Sequence, residues 1–215
     1  MKSLALVLLF CFTTVALSQS SMSVGVTGGL DIANLSVSNL PNGVTLSSKS
    51  GFVGGGVFEV GLSDVWFLQP ELLYDMAGAS ETANSFIASE TWKLSYVEVP
   101  ILVKAKFMTT EMVKPYLFAG PDIGFTTTSE VDITPENIQG QGRTLTNDVK
   151  DSTESVNFAI DFGGGVEYAL NSSTTLFGDI RYSLGLTDID KTPSDAGTTT
   201  KTTGIKILVG VRFGI

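Results

Sequence analysis

From residue 203 onward the sequence alternates with a period of two. Ile205, Ile207, Val209, Val211, Phe213 and Ile215 fall on one face of an extended chain, and Gly204, Lys206, Leu208, Gly210, Arg212 and Gly214 fall on the other. That period belongs to a β-strand, whose successive side chains point to opposite sides. Residues 155 to 169 repeat it, with Phe158, Ile160, Phe162, Val166 and Tyr168 opposed by Asn157, Ala159, Asp161, Gly163, Gly165 and Glu167. Residues 174 to 187 set Leu176, Ile180, Tyr182, Leu184 and Leu186 against Asp179, Arg181, Ser183 and Gly185. One face is large and apolar, and the other is small or charged.

Turn residues and alternation together divide the chain into eight segments: 22 to 32, 51 to 62, 65 to 78, 92 to 107, 114 to 127, 155 to 169, 174 to 187 and 203 to 215. Their connections alternate in length. Ser63-Asp64, Met108 to Val113 and Leu170 to Ser173 are short; 33 to 50, 79 to 91, 128 to 154 and 188 to 202 are long and rich in Ser, Thr, Asn, Asp and Gly. Tight turns on one side and long loops on the other, with both ends of the sheet on the short side, form the layout of an outer-membrane barrel. The expected fold is all-β, an eight-stranded antiparallel up-and-down transmembrane β-barrel occupying residues 19–215.

A single strand does not say which face is outside, because a water-soluble lipocalin-like carrier of an apolar ligand would put its apolar face inward. Composition separates the two. The chain has 13 phenylalanines, only 16% charged residues and a mean hydropathy of +0.27, yet no internal apolar run long enough for a membrane helix. Too few charges remain to solvate a whole exterior, so the apolar face is expected to meet lipid. The carrier stands as the alternative.

The first residues read as an export signal. Lys2 is the positive end, Leu4 to Phe12 the apolar stretch, and Ala16 and Ser18 the small residues at cleavage spacing, so residues 1–18 are expected to be removed and the mature chain to begin near Gln19. Phe10 before Cys11 is too bulky for a lipoprotein cleavage site. Cys11 is the only cysteine and histidine is absent, which leaves the mature chain without disulfides, thiolate chemistry, the usual zinc ligands or a serine-histidine pair. No cofactor is expected. Neither Gly54-Gly55-Gly56 nor Gly163-Gly164-Gly165 leads into a helix or carries the lysine and hydroxyl of a phosphate loop; glycines inside strands point instead to sharp curvature. A net charge of −9 argues against nucleic acid.

With the polar face inside, its charges need partners, since an eight-stranded lumen is filled by side chains. The candidate lumen network pairs Glu59, Glu71, Asp75, Glu98, Asp122, Asp161, Glu167 and Asp179 with Lys104, Lys106, Arg181, Lys206 and Arg212. Acids outnumber bases. The reading is a structural network that locks the lumen, with a proton or ion path as the competing one. Trp66, Trp92, Tyr74, Tyr96, Tyr116, Tyr168 and Tyr182 are candidates for aromatic girdles at headgroup level, or for packing within the sheet.

Three runs carry a resemblance: Tyr96-Val97-Glu98-Val99-Pro100-Ile101-Leu102-Val103-Lys104, Lys114-Pro115-Tyr116-Leu117-Phe118-Ala119-Gly120-Pro121, and Gly163-Gly164-Gly165-Val166-Glu167-Tyr168. Together with Val209-Gly210-Val211-Arg212-Phe213-Gly214-Ile215 they resemble the PorT-like outer-membrane barrel family of the Bacteroidetes. The resemblance implies insertion by the outer-membrane assembly machinery and a link to protein secretion, and it assigns no catalytic or ligand-binding residue. The usual terminal aromatic is replaced here by Ile215, with Phe213 two positions earlier.

The expected role is therefore non-enzymatic, in the outer membrane of a Gram-negative bacterium: envelope integrity, or loops presented to an envelope or secretion-system protein. The surroundings are outer-membrane lipid and lipopolysaccharide. Glu81, Glu90, Glu130, Asp132, Glu136, Asp148, Asp151, Glu154, Asp188, Asp190 and Asp195 make the connections acidic, a charge that divalent cations would bridge to anionic lipopolysaccharide.

Overall fold

The computed structural model describes residues 21–38, 44–83, 89–107, 109–110, 112–134, 145–150, 153–190 and 199–215. The expected signal peptide, residues 1–18, lies outside them. Nine strands follow in order: β1 (Met22–Val37), β2 (Val44–Gly61), β3 (Trp66–Ala83), β4 (Ser89–Lys106), β5 (Val113–Thr134), β6 (Leu145–Asp148), β7 (Val156–Ala169), β8 (Thr174–Gly185) and β9 (Thr200–Gly214). Each pairs antiparallel with its neighbours, and β1 with β9 and β4 with β5 complete a ring of eight from which only the short β6 is excluded. This is the closed eight-stranded barrel that the alternation implies.

Short polar side chains build the tight turns. The Ser63 hydroxyl accepts from the amides of Val65 and Trp66 at 3.3 and 3.1 Å, Thr110 accepts from Val113 at 2.9 Å, and the Asn171 carbonyl accepts from Ser173 and Thr174 at 2.9 and 2.8 Å. Such side chains mimic a backbone turn and fix hairpin register.

Strand ends differ from the sequence reading mainly on the long-loop side. β1 runs to Val37, β3 to Ala83 and β5 to Thr134, while β2, β4 and β9 begin at Val44, Ser89 and Thr200. Much of what reads as loop between 33 and 50, 79 and 91, and 128 and 154 is paired strand. The apolar residues here, Leu35 and Val131 among them, turn inward, so the outward apolar stripe that marks a wall strand stops while the Ser- and Thr-rich chain continues the ladder. β6 was not expected; it pairs Leu145 to Asp148 with Ile133 to Glu130. A membrane crossing needs only about 9–11 tilted residues, so the 22 residues of β5 extend well past the bilayer.

Burial fixes the inside and outside. Phe52, Val209, Ile180 and Leu72 project outward at 70, 65, 59 and 59% exposure, while the alternate residues are closed off inside. Charges line the lumen and apolar side chains cover the wall, the reverse of a lipocalin-like carrier, so that alternative is set aside.

The lumen-facing glycines set the curvature. A Cβ at Gly55 would lie 2.0 Å from the Leu72 carbonyl oxygen, and at Gly163 2.2 Å from that of Ile180. Neighbouring strands there approach too closely for any side chain. Outward-facing Gly56 has no such contact, its nearest atom being 4.0 Å away.

Candidate functional site in the barrel lumen

Because alternate strands of a closed ring face one another across a narrow lumen, inward charges meet in tiers. The tier nearest the short turns takes one or two residues from every second strand: Glu59 on β2, Lys104 and Lys106 on β4, Glu167 on β7 and Arg212 on β9. Acids stand opposite acids and bases opposite bases, so each charge is flanked by two of opposite sign. Lys106 reaches Glu59 at 2.6 Å and Glu167 at 2.8 Å; Lys104 reaches both at 3.1 Å; Arg212 pairs with both carboxylates. Aromatic faces complete the solvation of the ammonium groups. Lys104 Nζ lies 3.8 Å from the centroid of Tyr116 and Lys106 Nζ 3.8 Å from that of Phe67.

The middle tier centres on Arg181 of β8, which forms a two-pronged pair with Glu71 of β3 at 2.9 and 3.3 Å and reaches Asp179 at 3.3 Å and Asp161 at 3.8 Å. Tyr116 donates its hydroxyl to Asp179 at 3.1 Å, and Gln69 accepts from Lys104 at 2.9 Å, tying the two tiers together.

Toward the long loops stands Lys206 of β9, paired with Asp75 of β3 at 2.8 Å and with Glu98 of β4. Asp31 on β1 and Asp122 on β5 are buried alongside. Above them Leu35, Leu94, Tyr96 and Ile189 form an apolar cap. Ile189 is brought there by the segment after β8, whose backbone is held by Glu154 N to Ile189 O and Ile189 N to Thr200 O, both at 2.9 Å.

All thirteen expected network residues are thus buried and inward, and each except Asp122 stands in a described ion pair. The sequence reading omitted Asp31, although its parity with Thr27 in β1 places it on the inner face. It also missed the polar and aromatic packing partners Gln69 and Phe177, and the apolar layers Val53, Leu73 and Leu208 and Leu102, Tyr116 and Phe118. Tyr96 and Tyr116 are buried and leave the girdle; Trp66, Tyr74, Tyr168 and Tyr182 face outward. The side chain of Trp92 lies outside the described residues, as do those of Glu81, Glu90, Glu136, Asp151 and Asp195.

The family model of the outer membrane protein beta-barrel domain matches residues 17–191. The chain belongs to this family. It is an outer-membrane β-barrel, and its apolar wall faces the lipid of that membrane. Among solved structures it is similar to the Neisserial surface protein A, at 16% identity over 91% of this chain and 99% of that one, with a TM-score of 0.54. It is also similar to the outer membrane protein OprG from Pseudomonas aeruginosa, at 12% identity over 92% of this chain and 97% of that one, with a TM-score of 0.52. At these identities the likeness is one of fold. No curated protein matches the sequence.

Proposed function

We propose that this barrel is a non-enzymatic envelope protein whose lumen is locked and whose work is done by the strand extensions on its outer side. One observation supports this most directly: Arg181 and Glu71 join strands four steps apart in a ring of eight, placing an ion pair across the full width of the lumen. A charged tier below and the Leu35, Leu94, Tyr96 and Ile189 cap above leave little room for a solute. The lumen network is then structural, fixing strand register, in preference to a proton or ion path. What remains accessible is the β4, β5 and β6 ribbon, which carries Lys93, Asp132, Thr146 and Asp148 in an exchangeable, hydrogen-bonding surface.

The PorT-like motifs favour an envelope partner, with an accessory role in protein secretion as the specific form of that reading. Insertion would use the outer-membrane assembly machinery after export and cleavage near residue 18. Liposomes containing the refolded barrel should release no small sugars, and cross-linking from Thr146 or Lys150 in intact cells should capture a defined envelope protein. Sugar efflux comparable to a porin would overturn the locked lumen, and cross-links to lipopolysaccharide alone would leave the barrel as an integrity protein.

A further inference from the structure

The upper lumen contains more oxygen acceptors than the protein can satisfy. A cavity of about 30 Å³ is lined by Asp31, Asp75, Glu98, Asp122, Asn157 and Tyr96, with Lys206 the only basic group among its described lining residues. Lys206 is committed to Asp75 and Glu98. Asp31 and Asp122 sit four steps apart in the ring, and each keeps a buried Oδ1 that meets no hydrogen-bond donor among the described residues. Arg181, the nearest other cation, serves Glu71, Asp179 and Asp161.

Two neutral side chains independently point to a ligand. Asn157, 8% exposed, donates its Nδ2 to Thr202 at 2.9 Å, which turns its Oδ1 away as an acceptor, and that oxygen meets no donor among the described residues. Tyr96, 3% exposed, has a hydroxyl equally without a partner there. Buried polar atoms are nearly always satisfied. A cavity of this size holds about two water-sized bodies, one water needing roughly 10–15 Å³. Water alone would satisfy the hydrogen bonds but, with the four carboxyls ionised, would leave them facing one ammonium.

We propose that this chamber binds a hard divalent cation, calcium in preference to magnesium. The donors are all oxygens, the set such ions take, and calcium tolerates the irregular geometry that magnesium does not. No group of three acidic side chains among the described residues converges on one point as a closed metal cage. The shell is therefore mixed: the Asp31 and Asp122 carboxylates, the Asn157 amide and Tyr96 phenol oxygens, and water. The ion balances the excess carboxylates beneath the apolar cap, a place distinct from the acidic connections outside the barrel.

The test uses the full mature chain refolded in detergent free of lipopolysaccharide. Calcium should raise the temperature at which the compact gel band converts to the unfolded one, relative to sodium chloride of equal ionic strength. The rise should persist in Asp148→Asn and Asp188→Asn and vanish in Asp122→Asn. Terbium supplies a second readout, since Tyr96 would sensitise its luminescence. The signal should fall in Tyr96→Phe, calcium should displace it, and Asn157→Ala should weaken binding by about tenfold, as loss of a supporting ligand does. A wild-type compact band indifferent to calcium, or terbium luminescence unchanged in Tyr96→Phe, would overturn the proposal, the carboxylates then carrying protons. A response lost in Asp148→Asn or Asp188→Asn and kept in Asp122→Asn would overturn it equally. Each result leaves the compact band, and with it the barrel reading, intact.

Discussion

Arg181 on β8 grips both oxygens of Glu71 on β3, at 2.9 and 3.3 Å, across 110 positions of sequence and the whole width of the lumen. Both side chains are fully buried. Pairs of this kind are strong in geometry and ambiguous in net energy, because desolvating two charges offsets most of their attraction. Their clearest contribution is specificity: a one-residue slip of either strand would turn its charge into lipid.

Breaking that pair from the arginine side should therefore cost more than breaking it from the glutamate side, because Asp179 and Asp161 share the same cation. Arg181→Met, which strands the Glu71, Asp179 and Asp161 carboxylates, should lower stability to urea by about 3–5 kcal/mol, Glu71→Met by less because Arg181 keeps Asp179 and Asp161, and the double substitution should recover part of the Arg181→Met loss. Urea titrations of the refolded barrel, followed by the compact gel band, measure all three. Equal losses in the single and double variants would mean that the pair itself supplies the energy.

Glycine replacements should divide by face. Gly55→Ala and Gly163→Ala would each place a Cβ about 2 Å from a neighbouring carbonyl oxygen and should prevent refolding or strongly lower its yield. Gly56→Ala, with open space outside, should refold as wild type does. Compact-band yield from matched refolding reactions is the measurement.

How far the sequence discloses this molecule follows from where alternation is strong. In β7, β8 and β9, large apolar residues oppose charges, so strand, face and lumen residues are all readable from Val156 to Phe213. In β1, the inner face reads Gly25, Thr27, Gly29, Asp31 and Ala33, too weakly polar to flag Asp31 as a lumen charge. Beyond the membrane β5 buries Val131 and sets Glu130 and Asp132 on the other face, so the outward apolar stripe ends and nothing marks β6 with its partners. Pairing across the ring is a third kind of information. The composition supplies acids and bases, but only closure places Glu59 and Glu167 opposite one another with Lys104, Lys106 and Arg212 between them.

The lipid-facing wall permits a quantitative check. Val209 is 65% exposed, in register with Gly28 and Gly178, and flanked by the outward Ile207 and Val211. Val209→Lys in lipid vesicles should cost about 2–4 kcal/mol if this point lies near the bilayer midplane. Ser155→Lys, at the long-loop rim, should be nearly neutral. Similar costs at both positions would place the membrane elsewhere along the wall.

Outside the membrane the ribbon has its own pH dependence. Lys93 meets Asp132 at 2.6 Å, and Thr146 of β6 donates to the same carboxylate at 2.7 Å. The Lys93 hydrogen bond, followed by that of Thr146, holds the Asp132 carboxyl below its ordinary value of 3.8. A carboxylate depressed in the folded state supports folding above its unfolded pKa and withdraws that support as pH falls through the folded value. The β5 and β6 pairing should accordingly be unchanged from neutral pH down to the ordinary aspartate range and loosen below it, while the barrel persists. Because both groups are solvent-accessible, the effect should be local and weakened by salt. Protection from hydrogen exchange at Thr146 and Asn147, relative to intrinsic exchange at each pH, should fall on acidification in wild type and be already low, with little pH response, in Asp132→Asn. Protection that stays constant in wild type through the same range would assign the ribbon's order to its backbone ladder instead of to this carboxylate.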